Sequence, residues 1–185
     1  MININDVKSG MTLNINNNIF NVIEFQHVKP GKGPAFVRLK LKNLRTGTTI
    51  DETFNTSVKF EVAHIDKKDM QFLYNEGDKY VFMNMEDFDQ MEISKDILGN
   101  KVDYLKEGLE VVVSSYNSEI VEIALPDKVS LKVISTEPAV KGNTTSSAMK
   151  DATLETSYIV KVPIFIEEGE ELLISTSDGK YSSRA

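Results

Sequence analysis

Apolar and polar residues alternate with a period of two through most of this chain, and no other feature constrains its fold as strongly. Clear examples are residues 20–25, 35–41, 80–83 and 131–134. Because successive side chains of a β-strand point to opposite faces, this pattern is typical of strands with one buried face. Turn-forming residues interrupt the pattern at 75–78, 106–108 and 177–179. Short strands interrupted this often favour small β-barrels over a wound α/β sheet.

One segment has helical spacing instead. Its regularly spaced apolar residues are Ile97, Leu98, Val102 and Leu105. Ser94 can cap the start of this helix and Gly108 can end it. Gly99 within it costs about 1 kcal/mol relative to alanine. The sequence therefore predicts a single helix that plugs or bridges a barrel.

Charge is distributed unevenly along the chain. The 185 residues include 21 Lys and Arg and 28 Asp and Glu, a net charge of −7 that argues against a nucleic-acid binder. Segment 1–64 has 8 basic and 5 acidic residues (+3), segment 65–127 has 6 and 15 (−9), and segment 128–185 has 7 and 8 (−1). Within 29–45 there is no acidic residue, and the basic residues are Lys29, Lys32, Arg38, Lys40, Lys42 and Arg45. Since charge acts over about 8–10 Å in physiological salt, this stretch could contact RNA phosphates despite the total.

Two positions divide the chain into three predicted segments. The sign of the charge changes near residue 64, and an apolar run ends at Pro126 before a new alternating run begins. We therefore predict small β domains at 1–64, 65–127 and 128–185. Each is about 60 residues long, a size at which a single core gives only marginal stability.

Several classes of protein are not supported by the residues present. The chain has no Cys, which excludes disulfides and thiolate metal centres, and only two His, 37 positions apart at His27 and His64. No paired acid and base or nucleophile elbow is recognisable, so the chain is not expected to be an enzyme or to need a cofactor or metal. Without a signal sequence or a run of about 20 apolar residues, we expect a cytoplasmic monomer without membrane contact.

A short loop between two strand-like runs is built from stiff and flexible residues in turn. They are Pro30, Gly31, Gly33 and Pro34. The glycines allow a positive φ and the prolines fix φ on either side, which predicts a stiffened hairpin tip with Lys32 at its apex. No Ser or Thr follows Lys32 and no third glycine is present, so the loop is neither a Walker loop nor a dinucleotide fingerprint. A surface hairpin with a solvated lysine is the alternative.

Motifs along the whole chain resemble the bacterial elongation factor P family. They are residues 27–38 around the loop, 43–47, 78–83, 150–152 with 161–163, and the C-terminal motif 177–184, which includes Tyr181 and Arg184. The resemblance implies an N-terminal SH3-like (KOW-type) barrel followed by two OB-type barrels, in an L shape that imitates tRNA. Segments 1–64, 65–127 and 128–185 would be these three domains.

The resemblance also implies a function. The family binds the ribosome between the P and E sites and holds P-site peptidyl-tRNA in a productive pose, which relieves stalling at consecutive prolines. Lys32 matches the tip lysine that points at the CCA end and is often lengthened by a modifying enzyme. The expected RNA-contacting residues around it are Lys29, Pro30, Gly31, Gly33, Pro34, Arg38, Lys40, Lys42 and Arg45.

Three positions bear on the family pattern, and the first, Pro34, is one of several residue types at a position that varies in the family. The loop Gly142-Asn143-Thr144 has Asn where the family usually has Asp in a motif that faces the E-site codon of the mRNA. Asn keeps a carbonyl acceptor, so a contact with the codon is still expected. Ser157 stands where the family signature usually has glycine, which suggests local backbone tolerance.

Two alternatives remain open at this point. An elongation-factor-P-like paralogue is the nearest, although the intact Pro-Gly-Lys-Gly sequence around Lys32 favours the main factor. A generic OB-fold nucleic-acid-binding protein would need exposed aromatic residues among basic ones, whereas the middle segment is acidic. We interpret Phe82, Met83, Met85 and Phe88 as core or domain-interface residues and not as a stacking platform. An enzyme has no supporting residues.

Overall fold

The computed structural model describes residues 1–139 and 148–185, and this part of the chain folds mostly as β-sheet. Its strands form three sheets. The prediction of a mostly β protein from period-two alternation is therefore confirmed. Among the described residues, no helix has the length and apolar character needed to span a membrane.

The first sheet has six strands in the order β1-β6-β2-β3-β4-β5. They are β1 (Ile2–Asn3), β2 (Thr12–Ile15), β3 (Asn18–Val28), β4 (Phe36–Asn43), β5 (Thr49–Asn55) and β6 (Lys59–Val62), and a 3₁₀ helix, Ile4–Asp6, follows β1. Val37, Leu39 and Leu41 alternate along β4 and are fully buried. They lie in the apolar core of this sheet, so the intervening residues of β4 face outward.

The second and third sheets have five strands each. The second contains β7 (Asp66–Glu76), β8 (Lys79–Asn84), β9 (Gln90–Ser94), β10 (Glu110–Tyr116) and β11 (Glu119–Ala124). The third contains β12 (Lys128–Thr136), β13 (Met149–Leu154), β14 (Ile159–Pro163), β15 (Glu171–Ser175) and β16 (Tyr181–Arg184).

These two sheets share one topology. Their orders are β11-β10-β7-β8-β9 and β14-β13-β12-β15-β16. In each sheet the first strand is central, the second and third extend from one side of it, and the fourth and fifth extend from the other. The sequence shows no visible repeat between the two segments, so the common plan lies in the alternation and the turns and not in residue identity.

Contacts divide the described chain into two compact units, Met1–Lys67 with Val113–Glu122, and Lys68–Val112 with Ile123–Ala185. In the first unit, Val121 of β11 packs with Ile19 and Ala63, so the tip of the β10–β11 hairpin shares a core with the first sheet. The division into 1–64, 65–127 and 128–185 stays a prediction.

The predicted single helix is wrong in extent. The structure has one α-helical turn, α1 (Lys95–Leu98), followed by a 3₁₀ helix, Gly99–Tyr104. Gly99 interrupts the helix because its backbone turns to φ 57° and ψ −133°, which no α-helix accommodates. Ser94 occupies the N-cap position but its side chain makes no capping hydrogen bond.

The interpretation of Phe88 as a core residue is also wrong. Phe82 is fully buried, as expected, but Phe88 is 66% exposed in the turn after β8. Acidic residues on both sides of Phe88, Asp87 and Asp89, are the sequence signal that could have indicated a surface turn.

Tyr104, at the end of the 3₁₀ helix, lies in the core of the third sheet. Its ring centroid is 5.6 Å from that of Tyr158, whose hydroxyl donates a hydrogen bond of 2.8 Å to the carbonyl of Gly179. Burial, and next the neighbouring Tyr158, raise the pKa of Tyr104 to about 12, so its hydroxyl is neutral at physiological pH. Tyr158 therefore contacts both Tyr104 and the turn at Gly179.

Ser157 lies in the turn between β13 and β14, with φ at 69°. This left-handed region favours glycine, which explains physically why a glycine suits the position. The serine is tolerated at the expense of some backbone strain.

Gly179 has no room for a side chain, and we predict that Gly179→Ala destabilises the fold. A Cβ there would lie 2.3 Å from the Tyr158 hydroxyl and 2.9 Å from that of Tyr104, and φ is +71°. Overpacking and left-handed strain together should lower the free energy of unfolding by about 2–4 kcal/mol, measured by denaturant titration.

Gly77→Ala is the matched control, since Gly77 has a similar φ of +62° but nothing within 4 Å of an added Cβ. It should lose only the strain, about 1–2 kcal/mol. Equal losses in the two variants would contradict a specific contact at Gly179.

Candidate nucleic-acid interface

The loop 29–35 joins β3 to β4, and Lys32 is its central residue. The two strands pair in antiparallel register from Phe20 opposite Asn43 to Val28 opposite Phe36, so the loop begins where regular pairing ends. The whole run from Lys29 to Pro34 is exposed. No atom outside the immediate chain lies within 4 Å of a Cβ added at Gly31 or Gly33, so the loop stands clear of the rest of the described protein.

The two glycines of the loop differ in backbone conformation. Gly33 has φ at 106°, a conformation that residues with a side chain rarely adopt. Gly31 has no φ in the left-handed region. The expectation that both glycines supply positive φ therefore holds for Gly33 alone.

Arg38, Lys40 and Lys42 occupy the outer face of β4, opposite the buried residues. The neighbouring strands carry acidic residues on this face. In the strand register, Lys40 lies opposite Glu24 of β3 and opposite Asp51 of β5. Arg38 lies opposite the uncharged Gln26 and Thr53. The stretch 29–45 contains no acidic residue, but acidic residues of the adjacent strands partly neutralise its positive charge in the folded protein.

A shallow groove of about 120 Å³ marks this mixed surface, lined by Glu24, Gln26, Arg38, Lys40 and Asp51. Within it the Gln26 amide donates a 2.7 Å hydrogen bond to a Glu24 carboxylate oxygen. This face therefore presents acids as well as bases to any approaching anion.

The two remaining cations of the basic stretch pair with the β10–β11 hairpin. Lys42 Nζ lies 3.6 Å from Glu122 Oε1, and Arg45 Nη2 lies 2.9 Å from Glu119 Oε2. Arg45 Nη1 also donates a 2.8 Å hydrogen bond to the carbonyl of Asn17. Sequence reasoning missed these partners because Arg45 and Glu119 are 74 residues apart along the chain.

Local turns hold Arg45 in place. The side-chain oxygen of Asn43 accepts hydrogen bonds from the backbone N–H groups of Arg45 and Thr46, at 2.9 and 3.2 Å. Asn16 and Asn17 have φ of 51° and 63°, and Asn117 and Ser118 have φ of 49° and 67°. These values are typical of two-residue hairpin turns, and Arg45 bridges from one such turn to the strand that follows the other.

Lys29 and Lys32 differ from Lys42 and Arg45, which form ion pairs, and from Lys40, which lies between two acidic cross-strand neighbours. In the part of the chain that the structure describes, no carboxylate lies within 4.0 Å of either ammonium group. The loop therefore carries the positive charge that is most available to an external anion.

The predicted C-terminal residues contribute to their own domain. Tyr181 packs against the core of the third sheet. Arg184 Nε lies 3.1 Å from Glu170 Oε2, and its guanidinium stands 4.8 Å from the centroid of the Phe165 ring. Both side chains anchor the last strand.

The other predicted sites give less information. Gly142, Asn143 and Thr144 lie outside the described residues. Within residues 1–139 and 148–185, His, Cys, Asp and Glu side chains do not gather in threes or more as a metal site would require.

We predict that the Arg45–Glu119 pair is energetically coupled. A double-mutant cycle of Arg45→Ala and Glu119→Ala, measured as free energies of unfolding, should give a coupling of about 0.5–1 kcal/mol. Arg45→Ala should be the costlier single change because it also removes the donor to Asn17.

The control for this cycle is the Lys79–Glu92 pair, at 3.2 Å but with side chains 66% and 59% exposed. The two glutamates are similarly exposed, Glu119 at 61%, but Arg45 is 34% exposed, so solvent screening should reduce the coupling of Lys79–Glu92 below that of Arg45–Glu119. Absence of coupling in the Arg45–Glu119 cycle would show that the pair adds nothing to stability.

Two solved structures resemble this fold. Eukaryotic translation initiation factor 5A from Methanococcus jannaschii superimposes with a TM-score of 0.53 at 23% identity, covering 67% of this chain and 91% of that one. A translation initiation factor eif-5a family protein from Naegleria fowleri ATCC 30863 gives a TM-score of 0.50 at 19% identity, covering 67% and 96%. At these identities the likeness concerns the fold alone.

Sequence comparison identifies the family. Residues 3–60 match the elongation factor P (EF-P) KOW-like domain, 65–123 the elongation factor P (EF-P) OB domain, and 129–184 the C-terminal domain of elongation factor P. Elongation factor P of Phytoplasma australiense is 56% identical over 185 residues, which cover 100% of this chain and 98% of that protein. The predicted KOW-like and OB-type domains are thereby confirmed, and this chain belongs to the elongation factor P family, whose members are translation elongation factors and not enzymes.

Proposed function

We propose that this protein binds the ribosome between the P and E sites in the cytoplasm and positions peptidyl-tRNA in the P site, with Lys32 as the contacting residue. The ribosome as partner follows from family membership. The observation that carries the rest is the exposed run 29–34, whose lysines have no carboxylate within 4.0 Å among the described residues.

Positioning alone accounts for a useful effect on rate. Proline is a constrained and poor nucleophile, so holding its reaction partner in place lowers the entropic part of the barrier. One ammonium–phosphate contact at 4 Å contributes about 1 kcal/mol in bulk water and about 4 kcal/mol at an effective dielectric near 20. A tenfold change in rate needs only about 1.4 kcal/mol. A single lysine at the tRNA acceptor end is therefore sufficient to relieve stalling at consecutive prolines.

The remaining basic residues divide into two groups under this proposal. Lys29 and Arg38 extend the phosphate contact, as sequence-independent recognition of an RNA backbone requires. Lys40, Lys42 and Arg45 have acidic neighbours within the protein, so their main contribution is to hold the lysine-bearing hairpin in its fold. The Gly142-Asn143-Thr144 loop contacts the E-site codon, and a dedicated enzyme modifies Lys32.

Lys32→Ala should slow synthesis across consecutive prolines at least about fivefold in a reconstituted translation system, because one charge–phosphate contact of 1 kcal/mol or more is lost. The measurement is the rate of full-length product from messages with and without consecutive prolines. Lys59→Ala, which removes an exposed lysine from β6 of the same sheet, is the control and should leave both rates unchanged. Equal slowing on proline-free messages would argue against the proposal.

Lys32 should carry a covalent adduct in protein isolated from its native cell. The exposed ammonium in an open loop is accessible to a modifying enzyme, and a longer arm would reach further toward the tRNA end. Intact-mass measurement followed by peptide mapping tests this directly. An unmodified Lys32 would exclude the extended arm and leave the unmodified lysine as the contact.

A further inference from the structure

Phe88, in the turn between β8 and β9, has an exposed side chain and a strained backbone. Its side chain is 66% exposed, and its backbone has φ at 62°. Glycine or asparagine usually occupies such left-handed positions, and a bulky residue there is a genuine outlier. In the isolated protein this phenylalanine therefore gains little from burial and adds backbone strain.

Hydrogen bonds fix this turn rigidly. The buried Asn84 accepts at Oδ1 from the N–H of Glu86 and at its carbonyl from the N–H of Phe88, both at 2.9 Å. The Asn84 N–H donates to the carbonyl of Asp89 at 2.8 Å. Because the ring is held on an ordered turn, little conformational entropy would be lost when it enters a partner's pocket.

An apolar groove adjoins the turn through Met85. The groove has a volume of about 460 Å³, and its lining includes the apolar residues Met85, Val111, Leu125 and Pro126 and the acidic residues Asp69 and Glu110. The Met85 N–H donates to the carbonyl of Asp69 at 3.0 Å, which ties the turn to β7. Met85 thus belongs both to the turn that carries Phe88 and to the wall of the groove.

The charge of the turn and the groove indicates which kind of partner they can bind. The turn 85–89 and the residues that line the groove include five acidic residues and no basic residue. A negative field repels RNA phosphates and attracts lysine and arginine side chains. An apolar groove with an acidic edge fits a basic protein segment that also carries apolar side chains.

We propose that Phe88 and the adjoining groove form a docking surface for a basic segment of a ribosomal protein, with Phe88 inserted into an apolar pocket of that partner. The inference rests on the proposed function only in taking the ribosome as the assembly that supplies the segment. It concerns a surface on the second unit, whereas the lysine loop lies in the first.

The occupant can be identified with purified 70S ribosomes. Phe88 is replaced by the photoreactive p-benzoylphenylalanine, which keeps the aromatic ring, and the irradiated complex is mapped by mass spectrometry. A crosslink to a lysine- or arginine-rich protein segment supports the proposal, and a crosslink to ribosomal RNA alone overturns it. Tyr74, 52% exposed on β7, is the control position and should not give the same crosslink.

Binding and stability together separate docking from a structural role. Phe88→Gly should raise the Kd for 70S ribosomes about tenfold, as loss of an aromatic anchor typically does. The same variant should melt at or above the wild-type Tm, because glycine accepts φ near 60° without strain. A wild-type Kd, or a clearly lowered Tm with parallel loss of binding, would overturn the proposal.

Two further variants complete the test. Phe88→Asn keeps a residue suited to the left-handed backbone and should lose binding to the same extent as Phe88→Gly. Lys32→Ala keeps the proposed dock and should retain most of the ribosome affinity that Phe88→Gly loses. If the Phe88 variants bind normally while Lys32→Ala still slows consecutive-proline synthesis, the docking surface is refuted and the proposed function stands.

Discussion

The antiparallel pairing of β3 with β4 is the constraint on which the first sheet and its lysine loop depend. The register extends from Phe20 and Asn43 to Val28 and Phe36, and it fixes which residues of β4 are buried. A shift by one residue would turn Val37, Leu39 and Leu41 outward and bury the cations between them. The same pairing ends at the loop, so the core residues of the sheet determine where Lys32 is presented.

Acidic neighbours from other strands reduce the net positive charge around the basic stretch 29–45. Along the chain, 29–45 contains no acid, but strand pairing brings Glu24 and Asp51 beside Lys40, and the β10–β11 hairpin brings Glu119 and Glu122 to Arg45 and Lys42. Charge compensation of this kind reduces non-specific attraction to RNA. Within the basic stretch it leaves Lys29 and Lys32 of the loop, and Arg38 close to it, as the cations without an acidic partner, which favours a localised contact over broad adhesion.

The sequence was sufficient for the strands and the exposed lysine loop, because both depend on local alternation and turn chemistry. It was insufficient for the partners of Arg45 and Lys42, which only tertiary contacts reveal. The helix was predicted only in part for a similar reason. Gly99 is visible in the sequence, but its backbone angles, which end the α-helix before the 3₁₀ helix, are not. Phe88 was misjudged because aromatic residues are usually buried, although Asp87 and Asp89 on either side of it indicate a surface turn.

Tyr104 has a consequence for how the chain can be divided. Although it precedes the third sheet by more than a strand, it is one of the buried residues in that sheet's core, together with Val129, Leu131 and Leu172. A fragment that begins at residue 128 would therefore lack an aromatic side chain from its own interior. The boundary near Pro126 separates two sheets in the sequence, but the interior of the second of them includes a residue that precedes the boundary.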